Sequence, residues 1–191
     1  VWNRILDILK NKAKNGVEIR ILYDDIGTIN LLPYGFRKKL KKYGIESAKF
    51  NPLAPYPDIS INCRDHRKIA VIDGKYAYTG GINIADEYSN EKERFGIWKD
   101  YGIFIEGKAV NEMTVMFLKI WGYSVGKKEG NFDKYLCDYH SVNDGLVIPF
   151  GADPSRKENT VKNVYLNMIS SAKKYIYITT PYLIPDSETL S

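Results

Sequence analysis

His66-Arg67-Lys68-Ile69-Ala70-Val71-Ile72-Asp73, followed after a short gap by Gly80-Gly81-Ile82-Asn83, is the stretch from which the rest of this chain is read. Ile69 to Ile72 is apolar and mostly β-branched, the composition of a strand. Asp73-Gly74 is a turn dipeptide, and Tyr76 to Thr79 reads as the returning strand of a hairpin. Side chains alternate along a strand, so the spacing predicts His66 and Lys68 on one face and Arg67 on the other. An imidazole beside a fixed ammonium suits phosphoryl chemistry. The ammonium holds a phosphate oxygen while the imidazole attacks phosphorus or protonates a leaving oxygen. Gly80-Gly81 lets the backbone approach something closely or take positive φ.

The surrounding composition limits the possibilities. The chain has 191 residues, 44% hydrophobic and 27% charged, which is a globular balance. That is room for one domain, or one plus part of another. The formal net charge of +5 suits an anionic partner without choosing between phospholipid headgroups and nucleic acid. Cys63 and Cys137 are too few for a disulfide framework and match no metal spacing, so both read as reduced thiols. Nothing near Cys63 marks it as an activated nucleophile. No apolar run approaches membrane-spanning length and no signal peptide is present. The chain opens without Met, directly in a helical pattern, and stops after a strand and a turn. It reads as truncated at both ends.

Taken in order, residues 1–14 carry Trp2, Ile5, Leu6, Ile8, Leu9 and Ala13 at helical spacing, closed by Asn15-Gly16. Val17 to Tyr23 alternates as a strand. Asp24-Asp25 at its end reads as a loop or helix cap in preference to a metal site, since no further ligand cluster accompanies it. Pro33 is placed to open a helix over 34–42 whose Arg37-Lys38-Lys39-Leu40-Lys41-Lys42 run is either a solvated surface or a hold on anionic headgroups. Residues 45–50 read as a strand and 51–61 as a proline-containing loop ahead of the His66 segment. A partly helical polar segment is predicted over 85–94, a strand over 101–105 and a helix over 108–123 with Val110, Met113, Phe117, Leu118 and Trp121 on its apolar stripe. Residues 124–143 read as a polar linker. His140 lacks a Lys two residues on and reads as structural or surface. Strands over 147–151 and 175–180 flank a helix over 158–172. Alternating helices and strands make this an α/β chain.

A bare H-x-K-x4-D pattern arises by chance about once in 8000 starts, and the added G-G-x-N makes coincidence far rarer. With His66, Lys68, Asp73, Gly80, Gly81 and Asn83 matching position for position, the sequence resembles the phospholipase D superfamily. It is most similar to bacterial cardiolipin synthases, through Tyr23-Asp24-Asp25-Ile26-Gly27, the segment Asn62 to Gly74, Gly80 to Tyr88, and Ile178 to Asp186. The likeness covers nearly the whole chain.

The resemblance implies a mixed β-sheet flanked by helices. Residues 1–143 would be a first repeat and 144–191 the opening helix and strand of a second. It implies a phosphatidyl transfer between two phosphatidylglycerols that gives cardiolipin and glycerol, with no metal and no cofactor. His66 would attack phosphorus to give a phosphohistidine and the second repeat's His would serve as acid and base; the reverse assignment is the alternative. Lys68 and Asn83, with Gly80 and Gly81, would bind phosphate, and Asp73 would support the site's structure. An acid opening the strand before Gly107-Lys108-Ala109-Val110 would accept a hydrogen bond from the catalytic His, and Asp100 is that residue.

Only one such motif is present, so the expectation is a half-built site that needs a C-terminal half with the second motif. The expected partners are phosphatidylglycerol and an anionic membrane surface. The parent would sit at the bacterial cell membrane with its catalytic part facing the cytoplasm, and this piece would be soluble. One alternative is a phospholipase D-like phosphodiesterase or nuclease that completes its site as a homodimer. Another is a catalytically silent membrane- or nucleic-acid-binding module, although nucleic acid is not the expected partner.

Overall fold

The computed structural model describes residues 1–53, 63–94, 96–127, 130–139, 141–142, 145–152, 159–180 and 184–187. The chain divides into two compact units, Val1–Pro149 and Phe150–Ser191. The first holds α1 (Trp2–Lys14), β1 (Ile19–Asp24), α2 (Asp25–Thr28), α3 (Phe36–Lys42), β2 (Ile45–Phe50), β3 (Ile69–Ile72), β4 (Tyr76–Gly80), β5 (Gly102–Glu106) and α4 (Ala109–Val125). The second holds α5 (Thr160–Ser171).

Two sheets organise the first unit. β1 and β2 pair in parallel, Ile19 opposite Ile45 through Asp24 opposite Phe50. Parallel pairing requires a crossover, and residues 25–44 with α3 supply it. α1 and α3 cover this sheet with a core of Leu6, Phe36, Leu40 and Ile45, against which Trp2, Leu9, Ala13 and Ile21 pack. Ile8 shares the helical spacing of that stripe but faces solvent. The basic helix begins later than Pro33 suggests. Gly35, in the left-handed region at φ 75°, is its cap, so Pro33 and Tyr34 belong to the preceding loop.

β3, β4 and β5 form an antiparallel sheet in that order. The expected hairpin is present: Ile69 faces Thr79 and Ile72 faces Tyr76. Asp73 and Gly74 both take positive φ, as a primed hairpin turn requires, and Lys75 N–H donates to the Ile72 carbonyl at 3.0 Å. α4 covers one face, burying Ala77, Ile105, Val110 and Met113 with Ile69 and Val71 beside them. On the other face Ala70, Ile72, Tyr78 and Phe104 are exposed, with the Tyr78 and Phe104 rings 4.9 Å apart.

Among the described residues of 124–143, those from 133 to 139 are not a free linker. A short 3-10 helix, Asp133–Tyr135, and the segment after it strap onto this unit. Arg20 Nη2 donates to the Tyr135 hydroxyl at 2.6 Å, and Asn111 exchanges two hydrogen bonds of 3.0 Å with the Cys137 backbone. Residues 85–94 form turns instead of the expected helix, and Asn90 brackets Trp98 by accepting from its N–H and donating to its carbonyl.

In the second unit α5 matches its predicted span closely, yet none of its residues is buried. Residues 147–151 and 175–180 are not strands here. A strand needs a bonded neighbour, and the alternating pattern supplies only the willingness to pair. His140, most of the loop at 51–61 and Pro181 to Leu183 lie outside the described residues. No helix among the described residues is long and apolar enough to cross a membrane.

Candidate active site

β3 begins at Ile69, so His66 to Lys68 are an extended lead-in instead of strand residues. The ladder ends there because Gly81 N–H turns to the Tyr101 carbonyl, 3.3 Å away, and draws the chain after β4 toward β5. Ile69 lies opposite Thr79, and Gly80 opposite Gly102. The segments that carry His66 and Lys68, Gly80 and Gly81, Asn83, and Asp100 therefore all adjoin the same end of the sheet. Asp73 is at the other end. Seven residues of extended chain at ~3.3 Å each put it roughly 20 Å from His66. It belongs to the turn and not to the His66 end of the sheet.

The lead-in is tied down from the β1 side. Asp24 ends β1 and caps α2 by accepting from Gly27 N–H at 3.0 Å. The same carboxylate accepts from Asp65 N–H at 3.2 Å and faces Arg64 Nη1 at 3.4 Å. Arg64 also donates to the Asn51 carbonyl at 3.0 Å, and Asn51 Nδ2 donates to the Cys63 carbonyl at 2.9 Å. Arg67 folds back onto the Asp65 carboxylate with two bonds of 2.8 and 3.1 Å. The residues on both sides of His66 are thus fixed, while His66 itself is exposed and its ring bonds to no other described residue. Nothing in the sequence between Asp24 and Asp65 advertises this latch. The acid pair was legible only as a cap, and the partner is 41 residues away.

Lys68 is half-buried and its Nζ donates to the His66 carbonyl at 2.6 Å. No carboxylate among the described residues pairs with it. Asn83 is exposed with its amide free of bonds to other described residues. An ammonium, an amide and an imidazole at an open end are suited to an oxyanion with several oxygens.

The expected hydrogen bond between Asp100 and His66 is not made. Asp100 Oδ2 accepts from the Trp98 indole N–H at 3.1 Å and Oδ1 from Tyr101 N–H at 2.8 Å. Its carboxylate also lies against Gly81, where a Cβ would sit 2.6 Å from Oδ1. A Cβ on Gly80 would likewise collide with the Tyr101 carbonyl. In this structure the glycine pair is required by the close approach of β5 and Asp100, so its contacts are with protein. The role of Trp98 went unread because the residue that positions Asp100 is two places away and shares no motif with it.

Asp25 turns away from Asp24. It is buried and accepts from Lys49 Nζ at 2.7 Å and Leu53 N–H at 3.1 Å. Burial pushes its carboxyl up, but the bonds from Lys49 and Leu53 and the charges of Lys49 and Arg64 outweigh it and hold the group below its ordinary value. The two acids therefore serve two different anchors. Among the described residues no three His, Cys, Asp or Glu side chains come together in a way that could hold a metal ion.

The family described as "Cardiolipin synthase, PLD-like domain" matches residues 2–121. A protein of Streptococcus mutans, itself described as uncharacterized, is 45% identical over 190 residues, 98% of this chain and 41% of that protein. A cardiolipin synthase of Alkalihalophilus pseudofirmus is 40% identical over 192 residues, 99% of this chain and 38% of the enzyme. A cardiolipin synthase of Staphylococcus aureus is 40% identical over 187 residues, 97% of this chain and 38% of the enzyme. The chain spans about two fifths of the length of these curated relatives.

Proposed function

The chain belongs to the family of cardiolipin synthase, PLD-like domains, and on that premise we propose that it carries one half of a phosphatidyl-transfer site acting on phosphatidylglycerol. His66 is the nucleophile. Its ring nitrogen attacks the phosphodiester phosphorus, a P–N bond forms, and the P–O bond to glycerol breaks. The leaving glycerol oxygen takes a proton from the His of a second H-x-K-x4-D motif. The hydroxyl of a second phosphatidylglycerol then gives a proton back to that His and attacks phosphorus, and the P–N bond breaks to release cardiolipin. Lys68 and Asn83 hold the non-bridging oxygens, and Asp100, seated on Gly81 and Trp98, shapes the corner.

The observation that supports this reading is that the segments carrying His66, Lys68 and Asn83 leave the three-stranded sheet at one end, with Asp65 held by Asp24 and Arg67 folded onto Asp65 on either side of His66. The exposed face of Ala70, Ile72, Tyr78 and Phe104 supports the need for a second half, because it shares the alternation of His66 and Lys68 and is apolar. The same face favours a second reading, a phosphodiesterase in which two copies of this chain complete the site.

Glycerol release from phosphatidylglycerol vesicles decides between them. The chain alone is expected to be silent, and activity should arise on adding a separately made half carrying the second motif. Activity from the chain alone, abolished by His66→Ala, would establish the two-copy site instead. Turnover that survives His66→Ala in every combination would remove His66 from the chemistry.

A further inference from the structure

We propose that the loop over residues 29–35 and the helix α3 form a docking surface for an anionic lipid bilayer. The proposal adds to the phosphatidyl-transfer reading a means of holding the domain against its lipid. Binding itself does not depend on that chemistry.

Three apolar side chains in this loop stand in water where nothing in the fold needs them. Ile29 is 54% exposed, Leu31 74% and Tyr34 fully exposed. They lead straight into α3, whose seven residues include Arg37, Lys38, Lys39, Lys41 and Lys42 and no acid. Only Phe36 and Leu40 of that helix face the core. Two of the apolar groups share one place with the cations: Ile29, Tyr34, Arg37, Lys38 and Lys41 all line an open cavity of about 840 Å³. Solvated basic helices are common; here the exposed Leu31 and Tyr34 protrude beside one, so apolar and cationic groups adjoin.

That pairing chooses the partner. Cations near an anionic leaflet each gain about 1 kcal/mol, and a few apolar groups inserted at headgroup depth add a term that salt does not screen. Tyr is a residue of that interface, with an apolar ring and a polar tip. A nucleic acid would be served by the lysines alone and would have no use for Leu31 and Ile29.

The placement also fits the site. The loop follows α2 at the carboxyl end of β1, the end where Asp24 holds Asp65 beside His66. In parallel α/β units ligands meet the sheet at that end.

Flotation of the 191-residue chain with vesicles tests the surface. Vesicles of phosphatidylcholine with phosphatidylglycerol should carry the chain, and vesicles of phosphatidylcholine alone should not. Lys38→Glu with Lys41→Glu should weaken binding at least tenfold. Leu31→Ser with Tyr34→Ser should weaken it severalfold and leave a residue of binding that salt abolishes. Lys12→Glu with Lys14→Glu loses equal charge from the C-terminal turn of α1, which leads into the other end of β1, and should change binding less than twofold. His66→Ala should bind as the parent sequence does, so failure of the transfer chemistry and failure of docking are read separately. Three results overturn the proposal: no binding to anionic vesicles, equal losses in the α1 and α3 pairs, or an unchanged Leu31/Tyr34 variant together with equally tight binding to single-stranded RNA.

Discussion

At the Asp73 end of the three-stranded sheet, a Cβ on Gly74 would lie 2.5 Å from the Tyr135 carbonyl, Gly107 N–H donates to the Lys75 carbonyl, and Tyr139 bonds to Glu106 across the turn. At the His66 end the backbone is fixed by Asp24, Asn51 and Arg67, but the imidazole, the Asn83 amide and Ile82 face solvent. One motif, H-x-K-x4-D, thus spans two ends with opposite requirements. The Asp closes a turn that lies under a strap. The His66 imidazole stands without a bond to any other described residue, and Lys68 donates to the His66 carbonyl. The proposed role of His66 needs an unoccupied coordination sphere held by a rigid frame, and the neighbours of His66 supply such a frame.

Four substitutions or conditions can break this contrast. His66→Ala carries the largest expected effect. In a protein with both motifs it should cut phosphatidyl transfer by roughly 10⁴-fold, the scale of losing a nucleophile or general base. The melting temperature should hardly move, because an exposed side chain with no bonds to other described residues contributes little to stability. A coupled loss of activity and melting temperature would mean that the open end is structural after all.

Asp24→Ala should do both things at once. It removes the cap of α2, worth about 1 kcal/mol, and releases the Asp65 N–H and Arg64. The lead-in would then drift, and a displacement of about 1 Å is enough to cost on the order of 10²-fold in rate. Asp24→Asn keeps an acceptor for Gly27 and should recover most of the stability but less of the rate. Equal recovery of both would show that Asp24 acts only as a cap.

Gly74→Ala probes the strapped end. With φ at +65° and the Tyr135 carbonyl in the way, it should destabilise by about 2 kcal/mol or more. Turnover per folded molecule, measured well below the melting temperature, should be preserved. A fall in that specific rate would mean that the two ends are coupled through β3.

The same contrast governs what could be read from sequence. The hairpin was legible because Asp73-Gly74 and the alternation of Ile69 to Ile72 are local signals, and the α4 stripe was legible through Val110, Met113, Leu118 and Trp121. The residues of the candidate site were legible as a spacing, but not what surrounds them. Asp24 reaches Asp65 across 41 residues, and Asp100 is taken by an indole and by a glycine that leaves room for it. Such contacts exist only after the chain has closed, so no local pattern encodes them. The segment at 124–143 misled for the same reason. It is polar and glycine-containing like a linker, yet Tyr135 bonds to Arg20 on β1, Cys137 to Asn111 on α4 and Tyr139 to Glu106 on β5.

The smallest effect separates the two ends by pH. Asp25, beside the Asp24 latch, has its carboxyl held below its ordinary 3.8 once burial is outweighed by Lys49 and Leu53. A depressed carboxyl contributes stability above 3.8 and loses it as pH falls through the folded value, because the unfolded chain takes up the proton first. Tyr139, on the strap, is pushed from 10.0 up to about 12 by its hydrogen bond to Glu106. Its raised phenol contributes below pH 10 and loses that contribution between pH 10 and 12, because the unfolded chain releases the proton first. Acid should therefore loosen the latch corner and alkali the strap. Melting temperatures followed across pH should show Asp25→Asn flattening only the acid limb and Tyr139→Phe only the alkaline limb. If either variant altered both limbs, the ends would share one cooperative network, and the division between a closed turn and an open site would be a division of geometry without one of energy.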